Sequence, residues 1–268
     1  MFVKILAMKT LKFALLILFS SLALTACKDD DSDTNTPDED PNAANKLALG
    51  ASSGELLSAG DFSRLVVELV YAEGFRPQQE TINTFRDFLN QRLNKPGGIT
   101  FVETVIDPPT GAPFNATEIR EIEDANRTQF NNGNTIAVYV FFSNGSAFGD
   151  TQTAFTLGTA YRNTSMVVYE KTLRDVSVDN PNFDLGVLEI TTINHEFGHI
   201  LGLTNILQDD IHTGHEDAVN NKHCVVEECL MYFQAQSATK EMMGRLSREN
   251  LPQLDPLCIE DLQAKGGK

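Results

Sequence analysis

Residues 185–201 constrain the fold more than any other stretch of the chain. Apolar side chains recur there at helical spacing, and Ile190, Ile193, Phe197, Ile200 and Leu201 mark a helix that must be buried. Within it stands Asn194-His195-Glu196-Phe197-Gly198-His199-Ile200-Leu201-Gly202-Leu203. Positions four apart on a helix lie on one face, one turn above the other. His195 and His199 can therefore offer imidazole nitrogens to a single metal ion. Zinc suits such a pair, because it accepts nitrogen ligands and imposes no geometry through its d-electrons. Three protein ligands leave a position for water, whose pKa the ion lowers to about 7. Glu196, beside the first histidine, can take that proton and pass it to a leaving amine. Gly202 can close the helix at positive φ and turn the chain back.

The five histidines are His195, His199, His212, His215 and His223, so a third histidine ligand must come from the last three. Upstream, residues 65–71, 99–106 and 135–142 read as strands, and the last is apolar nearly throughout, as a central strand would be. Residues 78–93 and 115–130 carry helical patterns. Shorter strands are expected at 157–161 and 165–169, and a last helix at 239–248. Strand, helix, strand, helix, strand and then a hairpin-like pair predict an α/β (α+β) domain with a mixed, mostly parallel twisted sheet and a loop-rich C-terminal part.

The ends read differently. Lys4, Lys9 and Lys12 precede an apolar run over residues 13–24, the length of a signal-peptide core rather than a membrane span. It ends in Leu24-Thr25-Ala26-Cys27, which resembles the bacterial lipobox and makes Cys27 the expected lipidated N-terminus. Residues 1–26 are then a signal peptide, 27–45 a solvated acidic tether and 46–268 one domain. Lys28-Asp29-Asp30-Asp31 also resembles the surface-export signal of Bacteroidetes lipoproteins, so an outer-membrane or cell-surface location in a Gram-negative bacterium is expected. The net charge of −16, with no basic stripe, argues against a nucleic-acid partner. After Cys27, Cys224, Cys229 and Cys258 remain, open to one disulfide or a metal site.

The segment at 190–231 resembles the metzincin pattern H-E-x-x-H-x-x-G-x-x-H, with Asn205 where the third ligand belongs. Downstream, His223-Cys224-Val225-Val226-Glu227-Glu228-Cys229-Leu230-Met231 is similar to the archaemetzincin block H-C-x4-C-x-M. The resemblance implies a zinc peptidase with His223 as third ligand, Met231 in the Met-turn and an inserted loop at 204–222. His215, in the polar turn Gly214-His215-Glu216-Asp217, is the alternative, with Asn205, His212 or an acidic group behind it. Tyr232 is a further residue to consider for stabilising a tetrahedral intermediate. Archaemetzincins hold a second zinc through a further C-x-x-C, whereas here Cys258-Ile259-Glu260-Asp261 lacks the final cysteine. Three thiolates plus Asp261, or a disulfide from Cys258 to Cys224 or Cys229, are the options. The resemblance also implies that an extended peptide lies along the strand with Gly158 and Ala160, whose small side chains let another backbone approach.

Two other readings compete. A gluzincin-like peptidase would take a glutamate as third ligand from a separate helix, but Gly202 ends this helix too early. A non-catalytic surface binding or adhesion lipoprotein with a vestigial zinc site has no need of Glu196.

Overall fold

The computed structural model describes residues 40–179, 183–233 and 250–268. Strand β1 (Arg64–Ala72) is flanked in parallel by β2 (Ile99–Ile106) and β3 (Thr135–Phe142). Strand β5 (Ser165–Val168) adds parallel to β3, and β4 (Gly158–Arg162) closes the edge antiparallel to β5. The order is β2-β1-β3-β5-β4, the mixed and mostly parallel sheet expected. β3 is central and buried along nearly its whole length, which explains its lack of polar alternation.

Period-two alternation splits the core into two layers. Leu65, Val67 and Leu69 of β1, with Val138 and Val140 of β3, join the cluster containing Phe85, Phe88 and Leu89 of α2 (Gln79–Arg92) and Ile193, Phe197 and Ile200 of α5 (Leu185–Ile200). Val70, Tyr139 and Phe141 face the other way, toward Ile119 of α3 (Ala116–Asn126). Full burial of each such side chain stabilises by roughly 1.5–3 kcal/mol.

Several boundaries differ from expectation. Helix α3 stops at Asn126 instead of Phe130, because Arg127 turns extended and sinks into a buried ion pair with Glu123 at 2.7 Å. Its Nη2 also donates to the Ala137 carbonyl at 2.9 Å. The folded region starts upstream of Lys46. Residues Ala43–Asn45 form a 3-10 turn, and buried Asn45 donates to Asn131 Oδ1 at 2.8 Å. Helices α1 (Ser53–Leu57), α4 (Glu170–Asp179) and α6 (Pro256–Ala264) were not expected from the sequence. The helix expected at 239–248 lies outside the described residues.

Candidate metal centre

Helix α5 begins where Asp184 caps it, accepting from the amides of Gly186 at 2.9 Å and Val187 at 3.3 Å. It ends in a Schellman closure: the Gly202 amide donates to His199 O at 3.0 Å and the Leu203 amide to Gly198 O at 3.1 Å. Gly202 takes φ 79°, so glycine serves there as the sequence implies. The helix is buried on all sides, which explains why its apolar pattern is nearly continuous.

His195 and His199 face one another with their Nε2 atoms 3.1 Å apart. Tetrahedral zinc with Zn–N bonds of about 2.0–2.1 Å places two nitrogens about 3.3 Å apart. His223 completes the group: its ring stacks on His195 with centroids 5.4 Å apart and meets His199 edge-on at 5.2 Å. One ligand atom from each of the three lies within 4.8 Å of the others. His195 Nδ1 lies 2.7 Å from the Leu230 carbonyl, and His223 Nδ1 lies 3.0 Å from the Asn221 carbonyl. In the tautomer that donates from Nδ1, each ring keeps its Nε2 lone pair for a cation. Burial lowers the His195 pKa to about 3, and lowers that of His199 well below the ordinary range, with the neighbouring histidines adding to the effect. Both rings are therefore neutral at pH 7, the form in which imidazole ligates. The donor set fits a zinc ion with a place left open.

Glu196 is fully buried in the same helix. Its Oε2 accepts from the Ala160 amide at 2.7 Å, and its Oε1 has no partner among the described residues. Burial raises its carboxyl to about 8, partly opposed by the Ala160 amide; a cation held by the adjacent histidines would pull it back toward the ionised form that a base requires. Gly158 is where β4 meets this residue. A Cβ there would stand 2.7 Å from Glu196 Cγ and 2.8 Å from Thr192 Cγ2. The close approach expected at Gly158 is thus made by helix α5, while Ala160 contributes its amide to Glu196.

Met231 is fully buried against the same helix. A Cβ on Gly198 would run into Met231 Sδ, so the glycine between the two histidines is what lets the methionine pack beneath them. Tyr232 packs on Phe233, with ring centroids 4.7 Å apart.

The other third-ligand candidates go elsewhere. Asn205 sits at φ 64° and its amide donates to Asp210 Oδ2 at 2.6 Å. His212 Nε2 lies 2.7 Å from Glu260. His215 is buried in a second group that could hold a metal ion, with Cys224, Asp255 and Cys258. Cys224, Cys229 and Cys258 are all free thiols, so of the two options left open by the sequence the disulfide is not formed. Asp261 is not in that group as a ligand; its Oδ2 lies 3.0 Å from His215 Nε2. Sequence reasoning missed the Leu230 carbonyl and the Ala160 amide, because backbone groups leave no signature in residue types.

The crystal structure of an archaemetzincin from Methanopyrus kandleri overlays with a TM-score of 0.50 at 17% identity, covering 76% of this chain and 96% of that one. The fold is archaemetzincin-like. A zinc-dependent peptidase from Methanocorpusculum labreanum gives a TM-score of 0.45 at 12% identity, covering 73% and 99%. Metalloproteinase-II from Bacteroides fragilis gives 0.42 at 14%, covering 78% and 54%. No known family profile and no curated protein matches the sequence.

Proposed function

We propose that the chain is a zinc-dependent endopeptidase of the metzincin type that hydrolyses extracellular or periplasmic proteins. The observation that carries this reading is the convergence of three imidazoles, two with Nε2 atoms 3.1 Å apart, beside the buried Glu196 carboxyl, one oxygen of which has no partner among the described residues. His195, His199 and His223 would hold the zinc. Bound there, zinc would supply Lewis acidity for a peptide carbonyl and for water, whose pKa it can bring to about 7. Glu196 takes a proton on Oε1 and delivers it to the leaving amine, while the Ala160 amide keeps Oε2 in place. The Leu230 carbonyl fixes the His195 ring, and Met231 packs the floor.

Strand β4 is the edge of the sheet, so an extended substrate can add beside it and pass Glu196. The residues Leu24-Thr25-Ala26-Cys27 support export and a lipid anchor through Cys27, on the outer membrane or cell surface.

The test is cleavage of a diverse peptide library by the whole chain and by Glu196→Gln, with zinc content measured in both. The variant is expected to lose about 10²–10⁴-fold in cleavage and keep its zinc. Zinc-loaded parent that cleaves nothing, and binds peptides as the variant does, would favour a non-catalytic surface binding protein.

A further inference from the structure

The chain carries a net charge of −16, and one cavity collects part of that charge near the start of helix α5. It measures about 480 Å³ and lies between the loop leading into β4, helix α4 and the residue before the α5 cap. Asp150, Asp175 and Asp179 line it, together with Phe155, Phe183 and Thr172. Among the described residues, no lysine, arginine or histidine lines it.

The loop wall is fixed from within. Asp150 Oδ1 accepts from the Thr156 amide at 2.9 Å, and Thr151 Oγ1 accepts from the amides of Thr153 at 3.3 Å and Ala154 at 3.1 Å. Phe155 and Phe183 are partly buried and pack on the main core cluster. Two polar atoms of the lining residues lack partners among the described residues. One is Asp150 Oδ2, and the other is Oγ1 of Thr172, a residue only 4% exposed. A buried polar atom without a hydrogen bond costs free energy, so both ask for a donor from outside the chain. Lys171 pairs with Asp175 from one turn earlier on α4, but both side chains are exposed, at 46% and 60%. Such a pair is weak and leaves the cavity acidic. The three aspartates do not belong to any group whose ligand atoms converge within 4.8 Å among the described residues. A long organic cation therefore suits them better than a metal ion.

Position ties the cavity to the proposed chemistry. Phe155 stands three residues before Gly158, which abuts Glu196. Three residues of extended chain span at most about 10 Å. Phe155 and Phe183 join the same core cluster as Ile193 and Phe197 of α5, so the cavity and Glu196 share one face of the sheet. A peptide laid along the β4 edge and past Glu196 reaches the cavity about three residues from the bond abreast of the carboxyl.

We propose that this cavity is a subsite for a cationic side chain of the substrate, lysine or arginine, about three residues from the scissile bond; the proposal rests on the peptidase reading above. The aliphatic stem of such a side chain lies against Phe155 and Phe183. Its charge meets the aromatic faces and the carboxylates together, and its N–H groups supply the donors that the cavity wall lacks. An acidic side chain there meets like charge, which selects against acidic peptides.

The test uses the whole zinc-loaded chain and a set of peptides with one cleavable core. A single lysine, norleucine or glutamate is moved through the positions on both sides of the cleaved bond. At one position about three residues away, lysine should raise kcat/KM about tenfold over norleucine, and glutamate should lower it. The lysine advantage should shrink severalfold between about 0.1 and 1 M salt. Asp150→Asn combined with Asp179→Asn should erase the lysine-to-norleucine ratio with zinc content unaltered. Asp175→Lys combined with Asp179→Lys, both at exposed positions, should invert it in favour of glutamate, a gain that misfolding cannot produce. Binding of the same peptides to Glu196→Gln, followed by fluorescence anisotropy, reads the preference without catalysis. A parent that cleaves nothing while Glu196→Gln still prefers lysine peptides would sink the peptidase reading and keep the cationic site. Equal cleavage of all three peptides at every position, or a lysine preference that survives the double asparagine variant, would overturn the subsite and leave the peptidase standing.

Discussion

The two candidate metal clusters are separated by a single peptide bond, since His223 joins one and Cys224 the other. They are otherwise unlike. The histidine cluster draws two of its donors from one rigid helix, and its third member is partly exposed. The cysteine cluster gathers donors from a loop, a turn and a short helix, and all of them are buried. An ion that must admit substrate needs an open side, while one that holds chain segments together does best when closed. The difference teaches that exposure and the rigidity of the supporting element, more than the presence of ligands, separate a reactive centre from a staple.

The comparison can be broken most sharply at its reactive side. His199→Ala should abolish tight metal binding at the three-histidine group and lower peptide cleavage by about 10³-fold or more, with the circular-dichroism spectrum unchanged. Cleavage at the parent rate, measured alongside zinc content, would move the reaction away from this cluster.

On the staple side, Cys229→Ser should lower the melting temperature by roughly 10 °C and speed proteolysis in the C-terminal part of the chain, as chelation does in the parent. Scanning calorimetry with limited proteolysis checks this. Identical melting would dissolve the distinction between the clusters.

A smaller effect separates the metal from the base. Gly158→Ala pushes a methyl onto Glu196 and Thr192, at a cost of about 1–3 kcal/mol in stability. The displaced carboxylate should slow cleavage by about 10²-fold with zinc content unaltered. Equal loss of zinc would show that β4 supports the whole centre rather than Glu196 alone.

The smallest effect concerns how helix α5 is anchored away from the metal. Burial raises the Glu170 carboxyl to about 9, the charge of Glu189 adds to this, and Arg174 opposes it. Glu189 of α5 is held in turn by Thr81 and by the Gln78 amide at 3.0 Å. The folded chain thus keeps a proton that the unfolded chain releases above about 4.5. This stabilisation is full below that value and is lost as pH climbs toward about 9. Glu170→Gln cannot ionise, so it should melt a few degrees above the parent near pH 9, the gap closing toward about pH 5. A gap independent of pH would remove the proton from the account.

Much of this was legible in residue order. Strands β1, β2 and β3 and helices α2 and α5 follow from local periodicity, and the helical period alone brings His195 and His199 together. Helix α3 was read four residues too long because the buried contacts of Arg127 are tertiary. Helix α4 has a sequence pattern weakened by carboxylates, and Glu170 becomes tolerable only when packed beside Arg174 and held protonated. The open question of the third ligand could not close from sequence. His215 and His223 lie eight residues apart in a loop with no periodicity, and their separation into two clusters depends on where Cys258 and Asp261 arrive from α6.

By itself, the sequence determined the sheet's central strands, the helix with its paired histidines and the carboxylate between them, because these are properties of local pattern and pitch. Only the tertiary structure decided that Gly158 makes room for Glu196, that His223 faces the histidine pair, and that His215 turns to the thiols. Each of these depends on contacts between segments distant along the chain, and such contacts follow from the packing of the whole core.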